Sequence, residues 1–197
     1  MSFSRLPALL PILAILVLVP TIHAGDQEKT TPKPALSATL IANKDTYTLD
    51  PAQSGEAFRD SLKNLPKSHD PAPAAPKVDF TLRITNNSQA DQTFAIGGDE
   101  SQLDLKLEGK GAVTIDNLIA MTMEFRSGAP VTLAPGKTYD IAITSLSFGS
   151  RGIGRLAYFT EAGDYKLTAT LITTQNEKEL KISSDAVAFK VKPAGEK

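Results

Sequence analysis

Hydrophobic and polar residues alternate with a period of two along most of the chain after position 36. The clearest case is Tyr165 to Leu171, where Tyr165, Leu167, Ala169 and Leu171 fall on one face and Lys166, Thr168 and Thr170 on the other. That is the pattern of a strand with one face buried and one wet. The same alternation sets Val78, Phe80, Leu82 and Ile84 against Asp79, Thr81, Arg83 and Thr85, and Leu103, Leu105 and Leu107 against Gln102, Asp104 and Lys106. Further strands are predicted over 36–42, 92–96 and 139–143, with Thr46 to Leu49 continuing or pairing with the first of these. A last run from Leu180 to Lys192 turns Val187, Phe189 and Val191 one way. Residues 112–115 and 121–125 carry weaker strand signals, and 117–120 between them reads as loop or a single helical turn. Turns fall at Asn43-Lys44-Asp45, Asn86-Asn87-Ser88 and Gly109-Lys110-Gly111, and most clearly at Leu133-Ala134-Pro135-Gly136. There Pro135 fixes φ at the first central position and Gly136 accepts positive φ at the second. About eight strands at short, turn-marked intervals predict an all-β, antiparallel sandwich.

Residues 50–77 break this rhythm. Ser54 is placed to cap a short helix in which Phe58, Leu62 and Leu65 recur at i, i+4 and i+7, and Pro66 is placed to end it. Pro71, Pro73 and Pro76 make the following stretch an extended arm. Either the helix docks on the sandwich, or Phe58, Leu62 and Leu65 face a partner. On the second reading the segment is a binding element, nicked first by protease near 67–77 and replaceable by a Gly-Ser linker without loss of fold.

The first 24 residues read as a signal peptide: Arg5 makes a short basic start, Ala8 to Val19 is apolar, and Pro20 precedes a cleavage stretch ending at Ala24. Residues 25–35 then form a polar tether and 36–197 the domain. This places the protein in a secreted or periplasmic compartment, with a membrane role only if the leader is retained. Without Arg5, 20 basic side chains face 22 acidic ones, a balance that argues against nucleic acid as a partner. The chain has no Cys, so disulfides, thiol chemistry, Cys-zinc sites and lipoprotein acylation are excluded.

Several motifs resemble chemistry. Gly149-Ser150-Arg151-Gly152-Ile153-Gly154 approximates a nucleotide-cradling glycine turn, but it lies late in the chain and leads into strand-like residues, so a glycine loop between strands is expected. Gly97-Gly98-Asp99-Glu100 spells most of a cyclase signature with Ser101 in place of its Phe, and Asp99, Glu100 and Asp104 could together offer oxygens to Ca²⁺. Asn86-Asn87-Ser88 matches a glycosylation sequon. His69, the one histidine after the leader, sits in the Pro-rich arm, a poor platform for a catalytic triad.

The stretch Glu161-Ala162-Gly163-Asp164-Tyr165 resembles the tyrosine corner of immunoglobulin-like sandwiches, whose hydroxyl bonds back to upstream backbone. With Thr85-Asn86-Asn87-Ser88 and Leu133-Ala134-Pro135-Gly136-Lys137, it occurs in the order and rough spacing of small bacterial immunoglobulin-like modules, including the intracellular proteinase inhibitor type. The resemblance spans roughly 78–171 and implies an immunoglobulin- or fibronectin-III-like sandwich, with Gly163, Tyr165, Pro135 and Gly136 as structural residues. The function expected is a non-catalytic extracytoplasmic binding or structural module without a cofactor, partnered by another extracytoplasmic protein or an envelope component rather than a nucleotide. A proteinase inhibitor is the alternative, followed by a carboxylate enzyme or a Ca²⁺-dependent adhesion domain.

Overall fold

A computed structural model describes residues 34–68, 71–118, 124–150 and 152–195. The leader, most of the tether and His69 lie outside these residues. So do 119–123, which carry part of the helical-turn segment and most of the weak 121–125 strand; Glu124 and Phe125 themselves are not in a strand. The elements are β1 (Leu36–Ala42), β2 (Thr46–Thr48), α1 (Gly55–Ser68), β3 (Lys77–Asn86), β4 (Gln92–Ile96), β5 (Gln102–Gly109), β6 (Ala112–Leu118), β7 (Ala129–Leu133), β8 (Thr138–Ser145), β9 (Ser147–Ser150), β10 (Ile153–Phe159), β11 (Gly163–Gln175), β12 (Lys178–Ser183) and β13 (Val187–Lys192). Among the described residues thirteen strands replace the expected eight or so. The additional ones are short or do not alternate: β7 carries Pro130, and β9 is four residues long with Gly149 inside it.

The strands form a three-stranded sheet in the order β1-β3-β8 and a larger one in the order β2-β13-β11-β5-β9-β10-β6, with β12 also on β11. The inward residues of both meet in one core, in which Phe80, Leu82, Ile84, Leu146, Leu167 and Val191 are almost wholly removed from water. Tyr47, Phe80, Phe159, Tyr165 and Phe189 stack or meet edge to face at centroid separations of 5.5 to 6.4 Å, the spacing at which ring quadrupoles attract. The fold is an immunoglobulin-like β-sandwich with a helical insertion. One pair departs from the antiparallel expectation. After β1 the chain turns at Asn43 to Asp45 and β2 joins the other sheet, running parallel to β13.

β3 and β8 pair along their length, and β4 and β7 continue the same two chains past a shared bend. The bend is held by Asn86, which is fully buried. Its Nδ2 donates to the carbonyls of Ala90 and Leu133, both at 2.8 Å, while its Oδ1 accepts from Ser88 N at 2.9 Å and Ser88 Oγ at 2.7 Å. Both amide hydrogens and both lone pairs are thereby used. The match of Asn86-Asn87-Ser88 to a sequon, too short a pattern to carry weight in the sequence, falls on a nitrogen that is buried and has both hydrogens bonded. Opposite Asn86, Lys137 N donates to Ala134 O at 3.0 Å and Gly136 takes φ +73°, so the Pro135-Gly136 turn forms as the sequence suggests.

The run from Leu180 to Lys192 is two strands against one. β12 and β13 both lie antiparallel on the same edge of β11, and between them Ser184, Asp185 and Ala186 oppose only Thr168 and Ala169. One extra residue makes a β-bulge, and Ser184 fills it by exchanging bonds with Ala169 through N at 2.9 Å and Oγ at 3.1 Å. The bulge moves the buried set from even positions, Ile182 and Ser184, to odd ones, Phe189 and Val191.

Candidate functional site

The insertion forms a third layer. Along β10 the odd residues Ala157 and Phe159 enter the sandwich core, and the even residues Leu156 and Tyr158 point to the opposite face. β6 presents Val113 and Ile115 beside them, in register with Tyr158 and Leu156. α1 covers this apolar strip. Leu62 is fully buried against Leu156 and Tyr158, Phe58 meets the Tyr158 ring edge-on at 5.7 Å, and Leu65 packs half-buried beside them. The sequence pattern located this stripe correctly, but Phe58, Leu62 and Leu65 are occupied by the protein's own β10–β6 face and do not form a free binding surface.

The ends of the insertion differ from expectation. Ser54 does not cap α1: its hydroxyl donates to Pro51 O at 2.9 Å and closes a 3-10 turn, Pro51–Gln53. The first helical amide, Gly55 N, instead donates to Thr160 O at 2.9 Å, so a carbonyl of another element satisfies one of the orphan donors of the helix start. The helix also runs two residues past Pro66. The following arm is pinned. Tyr158 Oη donates to Pro73 O at 2.6 Å, Gln53 Nε2 to Ala74 O at 2.9 Å, and Leu146 N to Pro76 O at 3.1 Å.

Burial pushes the Tyr158 hydroxyl up to about 12 from its ordinary value near 10. The folded state therefore holds this proton more tightly than the unfolded chain, and the stability it contributes is complete below pH 10 and lost between pH 10 and 12. Tyr158→Phe is expected to cost about 1 to 2 kcal/mol at pH 8 through the lost bond to Pro73, and to flatten the decline in melting temperature across that alkaline window. Parallel slopes for the two proteins would show that Tyr158 is not the titrating group.

The corner at Tyr165 joins the insertion to the sandwich. The Tyr165 hydroxyl lies 2.8 Å from Glu161 O, four residues upstream, and 2.7 Å from Lys110 O, sharing one proton between two carbonyls. Glu161 in turn meets Arg59 of α1 at 2.5 Å and Lys110 at 3.0 Å. Its carboxyl sits below the usual range, chiefly through the Lys110 ammonium. Gly109 stands across from Tyr165 with φ +152°, and a Cβ there would come 2.5 Å from the ring, so glycine makes room for the tyrosine. Gly163 opens β11 with φ +153°. Tyr165→Phe is expected to lower stability by about 1 to 3 kcal/mol, since two partly buried hydrogen bonds to the Lys110 and Glu161 carbonyls are lost. An unchanged denaturant midpoint would show the hydroxyl to be dispensable.

The glycine motifs are structural. Gly149 pairs with Gly154 and Ser150 with Ile153 in a tight β9–β10 hairpin that leads into a strand, without a helix start to receive phosphate. At Gly97 to Glu100 the chain turns back against the start of β7. Asp99 N donates to Arg126 O at 2.7 Å, Arg126 N to Asp99 Oδ2 at 3.0 Å, and Gly128 N to Glu100 Oε2 at 2.7 Å. A Cβ on Gly98 would meet Arg126 O and come 2.7 Å from Gly128 N, so the two backbones touch only because residue 98 is glycine. Asp104, the third proposed Ca²⁺ ligand, pairs with Arg155 at 3.4 Å. The three carboxylates thus hold separate partners, and among the described residues no group of three or more acidic, His or Cys side chains is arranged for a metal.

One cleft of about 380 Å³ opens where β2, the 3-10 turn and the Pro-rich arm meet. Tyr47 and Phe159 form its apolar floor, and Lys44, Asp50 and Lys77 supply charge at its walls. Such a lining can hold a small polar or charged group against an aromatic surface. The signal for it in the sequence was faint, because its residues come from four segments that read separately as turn, helix entry, linker and the end of a distant strand.

No protein-family profile and no curated protein matches the sequence. Among solved structures, the chain is similar to a portion of native alpha-2-macroglobulin from Escherichia coli spanning domain MG7 to the C-terminus, at 18% identity and a TM-score of 0.35. That match covers 81% of this chain but only 17% of the other. It is also similar to a FixG-related protein from Vibrio parahaemolyticus, at 13% identity and a TM-score of 0.32, covering 81% of this chain and 99% of the other. Among the described residues no helix is long and apolar enough to cross a membrane.

Proposed function

We propose that the chain is an extracytoplasmic, non-catalytic binding or structural module. The observation that carries this reading is the use to which its polar side chains are put. Asp99, Glu100, Asn86, Glu161 and Tyr165, the groups that look most like chemistry in the sequence, each hold a turn, a bend or the helix in place. A carboxylate already accepting a backbone amide, or neutralised by a neighbouring cation, is poorly placed to act as base or ligand. The leader supports an extracytoplasmic site of action.

Two measurements test this. The exported protein should have an intact mass beginning at Gly25; a membrane-retained chain that keeps residues 1–24 would contradict export. Calorimetry with Ca²⁺ should show no saturable heat, and replacing Asp99 and Glu100 with Asn and Gln should lower the melting temperature. Saturable Ca²⁺ binding abolished by that double replacement would replace this reading with that of a Ca²⁺-dependent adhesion domain. Stoichiometric inhibition of any member of a protease panel would instead favour the inhibitor alternative.

A further inference from the structure

Sheet edges expose unpaired backbone groups, and proteins usually protect them with short strands, proline, bulges or a covering element. Most edges here carry such a device. β1 lies against β12, β6 lies beside α1, β2 has three residues, and β7 carries Pro130. β8 is the exception. It is eight residues long, regular from Thr138 to Ile143, free of Pro and Lys, and no described strand pairs with its outer edge.

The backbone direction follows from its bonds to β3. Asn86 N donates to Lys137 O, so even residues of β3 and odd residues of β8 face each other across the ladder. The N–H and C=O groups of Thr138, Asp140 and Ala142 therefore point away from the sheet. Tyr139 and Ile141, on the core face of the same strand, remain only partly covered.

We propose that this edge is a self-association site at which β8 pairs antiparallel with β8 of a second copy about a two-fold axis, joining two three-stranded sheets into one. The sequence selects the register. An axis through residue 140 would set Asp140 directly against its own copy, which like-charge repulsion disfavours. An axis through Ile141 places Asp140 opposite Ala142 and Thr138 opposite Thr144, and covers Ile141 with its symmetry mate. In that register all outward backbone groups from 138 to 142 find partners, and each Asp140 stays bound to Arg83 through two contacts of 2.7 Å. The inference rests on the structural-module reading and supplies its partner: a second copy of the same chain.

Sedimentation of the mature protein from about 10 µM to about 1 mM tests the inference, together with two variants at the exposed Ala142. Ala142→Asp would create two like-charged cross-strand pairs and should weaken the dimer about tenfold. Ala142→Lys would set an opposite charge against each Asp140 and should bind at least as tightly as the unmodified protein. Unchanged circular dichroism and melting would confirm that both variants fold. A protein that stays monomeric throughout the range overturns the proposal, as does a dimer on which the two variants act alike. Neither result bears on Ca²⁺ binding or export, so failure here is distinguishable from failure of the module reading.

Discussion

Replacing Asn86 with Ala is expected to destabilise the domain by about 3 to 5 kcal/mol, well beyond the usual effect of a polar-to-Ala change in a turn. The side chain makes four hydrogen bonds from a buried position and ties the loop at Ser88 and Ala90 to the distant carbonyl of Leu133. Removing it leaves the Leu133 carbonyl short of a donor, while the Ser88 hydroxyl, 2.8 Å from Ala90 O, is freed to turn its one proton there. Asn86→Asp is the sharper companion. It keeps the shape while replacing the amide donor with an acceptor aimed at two carbonyls, in a site where an ionised carboxylate is poorly solvated. Denaturant melts of both variants are the measurement, and a loss below about 1 kcal/mol in each would mean that water replaces the amide and that the bend is held by its turns alone.

Leu62→Ala is expected to cost about 2 to 5 kcal/mol, the range for deleting a fully buried leucine and leaving a cavity. The figure separates the two readings of the insertion. A stripe waiting for a partner would tolerate the change in the isolated protein, whereas a stripe packed on Leu156 and Tyr158 cannot. Phe58→Ala, at the half-buried margin, should cost less than Leu62→Ala. A Gly-Ser replacement of residues 50–77, expected from sequence to be harmless, should instead uncover Leu156 and Tyr158 and lower the cooperativity of melting. If Leu62→Ala melts with the unmodified protein, the helix contributes nothing to the fold and the partner reading returns.

Both predictions fall where sequence and structure part company, and the reasons are physical. Local alternation is a property of one strand, so β3, β5, β8 and β11 were legible from Val78, Leu103, Tyr139 and Tyr165 onward. The helical stripe was legible for the same reason, but its destination was not: Leu156 and Tyr158 are even residues of a strand buried on both faces, and such a strand has no alternation to read. Asn86 was legible only as a turn residue, because an Asn-Asn-Ser triplet looks the same whether water or its own loop and the distant Leu133 carbonyl receive its bonds. The bulge at Ser184 did leave a trace. Leu180 and Ile182 sit at even positions while Val187, Phe189 and Val191 sit at odd ones, and a change of phase within one apparent strand requires an inserted residue. Arg59 and Glu161, 102 positions apart, left no trace.

The parallel pairing of β2 with β13 has a consequence for how the domain bears load. β1 and then β2 lead into the domain from the N-terminal side and β13 leads out of it, so once tension has drawn β1 off β3 it pulls the neighbouring β2 and β13 past each other in opposite directions. Thr46, Tyr47 and Thr48 are matched to Lys190, Val191 and Lys192, and the ladder is flanked by Lys190 N bonded to Asp45 O at 2.8 Å and Leu49 N bonded to Lys192 O at 2.9 Å. These bonds lie across the pulling direction and are strained together in shear instead of opening one at a time like a zipper. Force applied through the termini should therefore meet a high barrier at the β2–β13 seam, and Leu49→Pro, which removes the amide that donates to Lys192 O, should lower the rupture force measured by single-molecule extension.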